Sequence, residues 1–209
     1  MTRTWVRVGA FSGLAASVAY PVAVFLPLPL TAIVILASVF GVGVSLAAMG
    51  LYFLLALHQK TVTLQIGTLC NAMAGVMLLC MLIIQLSVNS MILPLLDQPP
   101  PGTSEQIVRL VWDVVGHVQL GLDVVWDIYL CLGTLLIAWN MRKHPRFGNA
   151  FFWTGTLIAL PLTLFNLWTF PTPPGETSLV DLGPVLGLWY LIVSIQAIRS
   201  LRWADSVIG

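Results

Sequence analysis

Apolar residues fall into six long runs, and polar or charged residues gather almost entirely in the short gaps between them. The runs cover about 5–25, 30–57, 62–86, 114–140, 147–170 and 182–198. Crossing a hydrocarbon core takes ~20 helical residues, so each run has the length of a membrane span. Pro27 and Pro29 mark the turn after the first run, and His58, Gln59 and Lys60 end the second. A proline-rich loop follows the third run, with Pro94 and then Pro99, Pro100, Pro101 and Gly102. Ser104 stands where a helix N-cap is expected, and from there a helical pattern continues to Asn140. That is more than one crossing needs, so the first turns, Glu105 to Asp113, are expected in or above the headgroups. Pro161 is expected to kink the fifth run, and 171–175 forms a loop. The pattern predicts an all-α fold: one polytopic membrane helix bundle of six transmembrane helices over 1–209.

Composition agrees. Of 209 residues, 58% are hydrophobic and 8% charged, against roughly 25% charged in soluble domains. So few charges cannot cover a water-soluble surface, so the lipid bilayer is the expected partner. A net charge of +1 without a basic run argues against nucleic acid. Cys70, Cys80 and Cys131 all lie inside apolar runs and form no C-x-x-C pair, as expected of small buried hydrophobes. Arg3 and Arg7 before an apolar run resemble a signal peptide, but a second span follows at once. The first helix is therefore expected to be retained and to act as the targeting signal.

Orientation follows from the bases. With the N-terminus inside, Arg3, Arg7, Lys60, Arg142, Lys143, Arg146, Arg199 and Arg202 are cytoplasmic, and of the nine bases only Arg109 is outside. Both termini are thus expected in the cytoplasm, in a multi-pass protein of the inner membrane. Trp5, Trp139 and Trp203 fall near the inner boundary, and Trp112 and Trp168 near the outer one. The acids mirror the bases: Asp97, Glu105, Asp113, Glu176 and Asp181 lie in or beside outer segments, and Asp205 is cytoplasmic.

Small residues recur at i, i+4 in three runs: Gly9, Gly13 and Ser17; Ala37, Gly41 and Ser45; Gly183 and Gly187. Such ridges let helix backbones approach closely in lipid. Ser38, Ser45 and Tyr52 recur at heptad spacing, a pattern that more often means packing than binding.

The fourth run holds the candidate chemistry. On a helical wheel with Asp113 at zero, His117 falls at about +40°, Asp127 at about −40° and Asp123 at about −80°. Four ionisable groups thus share one face, which must look into the bundle, a wet cleft or the outer headgroups, because burying charge in lipid is expensive. The plain alternative is an interfacial i, i+4 pair at Asp113 and His117, with Asp123 and Asp127 in a network that fixes packing. In the third run Asn71, Gln85 and Asn89 share a face, and Gln85 and Asn89 match the height of the acidic stripe. Asp181, Arg109 and Asn166 lie near that height too.

A metal would need Asp113 and His117 plus Asp181 or Asp127, since His58 and His144 belong to the opposite end. No H-E-x-x-H, G-x-S-x-G or Walker motif occurs, and no cofactor is implied. Two readings stay open. One is a bundle with an outward-facing polar cleft that binds or moves a proton, an ion or a small amphiphile, or that serves a protein partner as accessory subunit. The other is a membrane enzyme acting on lipid headgroups, with Asp113, His117 and Asp181 as metal ligands or as acid and base.

The stretch from Gly121 to Gly148 reads G-L-D-V-V-W-D-I-Y-L-C-L-G-T-L-L-I-A-W-N-M-R-K-H-P-R-F-G. It resembles a segment of the bacterial membrane family known as domain of unknown function 4386. The likeness rests on Gly121 and Asp123, the helix through Gly133, and the turn with Pro145, Arg146 and Gly148. It implies a six-span layout, marks Asp123 as a family position and brings no activity with it.

Overall fold

A computed structural model describes residues 1–98 and 104–209, so the run Pro99 to Gly102 lies outside the described residues. In lipid, each backbone N–H and C=O must bond within its own segment, so apolar runs become helices. The helices are α1 (Thr2–Phe25), α2 (Leu30–Ala56), α3 (Val62–Asp97), α4 (Glu105–Met141), α5 (Gly148–Thr169), α6 (Gly183–Arg199) and α7 (Leu201–Ile208). A short 3₁₀ turn, Pro174–Thr177, precedes α6. No strand occurs among the described residues. The fold is an all-α membrane helix bundle. Among the described residues five helices are long and apolar enough to cross a bilayer; α6 and α7, bent by 47° at Ser200, make a sixth if counted as one broken span. Sequence pattern alone does not show that bend. Ser200 breaks the axis, and α7 then carries exposed Arg202 and Ser206 against buried Ala204.

One boundary needs correction. The third run was expected to stop near Leu86, with Pro94 in a loop, but α3 continues to Asp97 with Pro94 inside it. Proline removes one N–H and crowds the preceding turn, a defect tolerated close to a helix end. The Pro94 carbonyl still accepts from the Gln98 N–H at 3.0 Å. The extra turns persist because α4 is equally long and packs along α3, burying Ile92 and Val108. At 1.5 Å per residue both helices are ~55 Å long, well beyond the ~30 Å core. They therefore form an overhang at the end away from Lys60.

Small residues set the helix crossings. Gly9 of α1 and Gly50 of α2 lie so close that a Cβ on either would strike the other's backbone. Gly41 of α2 faces the Gly75 carbonyl of α3, and the Ser45 hydroxyl donates to the Ala72 carbonyl at 2.9 Å across the same contact. The first two predicted ridges are therefore interfaces. The third is not: a Cβ on Gly187 meets open space, and one on Gly183 meets only Asp181. Spacing marks which residues are small, whereas rotation of the helix decides what they touch.

Polar caps pin the helix ends near Lys60. Thr61 caps α3 by accepting from the Leu64 N–H at 3.1 Å and donates to Asn140 Oδ1 of α4 at 2.6 Å. Above them Leu54, Leu55, Leu64, Ile137 and Met141 are buried in an apolar layer. Ser104 does occupy the α4 N-cap position, but its side chain makes no capping bond.

Candidate functional site

The face predicted on α4 does not act as one unit. Asp113 and His117 lie on the overhang and are exposed, Asp123 is half-buried, and Asp127 is 6% exposed. His117 Nδ1 pairs with the backbone carbonyl of Asp113 at 2.8 Å, and the Asp113 carboxylate makes no ion pair with it. A helix 37 residues long outruns the shorter helices of the bundle, so side chains on one face meet different surroundings at different heights. Gln85 is exposed and Asn89 half-buried, and neither hydrogen-bonds to the α4 acids. Asn71, on the same face of α3, is buried instead.

Two bonds define the surroundings of Asp127. The Asn166 amide of α5 donates from Nδ2 to Asp127 Oδ2 at 2.8 Å, and also to the Leu162 carbonyl at 3.1 Å. Among the described residues no Lys, Arg or His pairs with Asp123, Asp127 or Asp181. The charges of Asp123 and Asp181 nevertheless act on Asp127 and on Tyr20 of α1 through space, without a hydrogen bond between them. Asp181 is held in place because its Oδ1 accepts the Gly183 N–H at 2.8 Å, at the start of α6. The positive end of that helix favours a carboxylate there. Asp127 and Asn166 are thus bonded directly, whereas Asp123, Asp181 and Tyr20 join them only through the field of their charges. Asp113 and His117 stay outside this group. No three His, Cys, Asp or Glu side chains among the described residues converge to hold a metal, so the Asp113–His117–Asp181 set is not assembled.

Two further polar clusters escape the sequence pattern. Deeper on the same face of α4, the Thr134 hydroxyl donates to the Leu130 carbonyl at 2.7 Å. With its hydrogen so used, it accepts from the Tyr190 hydroxyl of α6 at 2.6 Å, and Tyr190 accepts from Asn71 Nδ2 at 2.7 Å. Asn71 is 1% exposed and its Oδ1, packed against Gly133, has no N–H or O–H partner. Thr134 lies seven residues after Asp127, within about 20° on the wheel, so extending the stripe would have found it.

At the end of the bundle that carries Lys60, His144 is 2% exposed. Its ring packs 4.9 Å from Trp203, 5.3 Å from Phe147 and 5.5 Å from His58 between centroids. Nδ1 accepts the Arg146 N–H at 3.2 Å, while Nε2 has no hydrogen-bond partner. Burial, with His58 and then Arg146 adding repulsion, pushes its pKa down from 6.5 to about 4. Nothing in the sequence around a histidine between Lys143 and Pro145 announces that burial. No family model, no curated protein and no solved structure matches this chain.

Proposed function

We propose that this chain is a multi-pass protein of the inner membrane that takes up a proton or small cation at Asp127, reached from the outer face past Asp123 and Asp181. The observation that carries this reading is the setting of Asp127: a carboxylate at 6% exposure within a span, held by one amide and by no cationic side chain. Intramembrane carboxylates are expensive, and a proton or bound cation offsets that expense. The two neighbouring carboxylates supply attraction along the approach, and Asn166 fixes the rotamer of Asp127. The resemblance of the 121–148 segment to domain of unknown function 4386 adds Asp123 to the same group.

Dicyclohexylcarbodiimide, an apolar reagent that adds to protonated carboxyl groups, tests the site. Peptide mass spectrometry should find Asp127 modified in membranes, with modification lost in Asp127→Asn and suppressed as pH rises. Suppression by sodium but not choline would identify a cation; insensitivity to both would leave the proton. No modification of Asp127 at any pH would sink the proposal.

The orientation belongs to the same proposal and rests on the eight bases at one end. In variants lacking the native cysteines, single cysteines replacing Gln59 or Lys143 should react with an impermeant maleimide only from the cytoplasmic side. One replacing Glu176 should react from outside. Reversed labelling would put the approach to Asp127 on the cytoplasmic side.

A further inference from the structure

We propose that the turn joining α4 to α5, carrying Arg142, Lys143 and Arg146, is a receptor for the phosphate headgroup of an anionic phospholipid. The charge is unbalanced at this end. Eight bases accompany one carboxylate, Asp205, which is already engaged by Arg3 at 3.5 Å and Arg7 at 3.0 Å. Among the described residues Arg142, Lys143 and Arg146 have no carboxylate within ion-pair distance, and all three are exposed.

The turn is also rigid. His144 and Phe147 are driven into the core beneath it, Arg146 donates to the Arg199 carbonyl at 3.4 Å, and Gln196 donates to the Arg146 carbonyl. The Arg142 guanidinium lies over two rings, 5.8 Å from the centroid of Trp139 and 5.5 Å from that of Phe152. Stacking leaves the N–H edges of the planar fork free for phosphate oxygens, a geometry that lysine cannot reproduce. Directly after the turn, α5 begins without a side-chain cap at Phe147, so its positive end adds to the same field.

The apolar surroundings select a lipid over a soluble anion. Trp139 is 57% exposed and faces outward beside Arg142. From the turn, Trp153, Leu157, Leu160 and Leu164 run as one exposed stripe along α5. A headgroup on the bases would thus leave its acyl chains on that stripe, and basic pockets at span ends hold anionic lipids in this manner.

The test uses the purified full chain in detergent, titrated with phosphatidylglycerol or phosphatidylcholine and followed by thermal melting and native mass spectrometry. Phosphatidylglycerol should raise Tm more than phosphatidylcholine, in a salt-sensitive way, and should stay bound in the gas phase. Replacing Arg142, Lys143 and Arg146 together by glutamine should weaken phosphatidylglycerol roughly a hundredfold. Arg142→Lys alone should weaken it measurably, whereas Lys60→Gln should not. If the triple variant proves unstable, the wild-type comparison and Arg142→Lys still decide. Equal responses to the two lipids, an unaltered response in the variants, or the same Tm shift with inorganic phosphate alone would overturn the proposal.

Discussion

Gly9→Leu is expected to destroy the α1–α2 crossing, with a stability loss above about 3 kcal/mol and most of the protein lost from the monodisperse fraction. Overpacking usually costs ~1–3 kcal/mol, because neighbouring side chains turn aside. Here the obstacle is the backbone of Gly50, which has no rotamer to change, so the helices must separate. Separation would uncover Val6, Ala10, Leu51, Leu54 and Leu55, all buried beside this crossing. Gly50→Leu should fail in the same way. Gly187→Ala provides the control: nothing lies within 4 Å of its Cβ position and it is inside α6, so Tm should stay put or rise slightly. A Gly9→Leu protein melting like wild type would show that α1 and α2 do not cross here.

Acid should weaken the end of the bundle that holds His58 and His144, through His144. In the unfolded chain this imidazole takes up its proton near pH 6.5, but in the folded bundle only near pH 4. Between those values the unfolded state binds more protons, so stability falls as pH drops through the window, and the contribution of this neutral ring is gone below it. The full effect is on the order of 3 kcal/mol. The groups facing the ring are His58 on the end of α2, Arg146 in its own turn and the uncharged Trp203 on α7. His144→Phe keeps an aromatic in the pocket and removes the titration. Melts at pH 6.5 and pH 5 should therefore differ more for wild type than for the variant. Parallel profiles would mean that the ring is hydrated or already charged in the fold.

The helices and their approximate ends could be read from hydropathy, because lipid forces every spanning segment to satisfy its own backbone bonds. Proline was the exception at Pro94. Its usual meaning as a breaker lost to the packing of α3 along an equally long α4, a tertiary fact no local window contains. The membrane class could be read for the same solvent reason: 8% charge leaves no other surface.

Sequence by itself also determined that Asp113, His117, Asp123 and Asp127 share a helix face, since 100° per residue fixes angle. It did not determine height or company. Whether a residue on that face is wet depends on which neighbouring helices reach the same level. Asp113 and His117 ended on an overhang, while Asp127 met Asn166 from a helix 39 positions away. The same limit separates Gly9, locked against Gly50, from Gly187, which faces open space at an identical spacing. Periodicity is a property of one helix and can be counted along the chain. Contact is a property of two, set by their relative rotation and translation, and only the packed bundle specifies those.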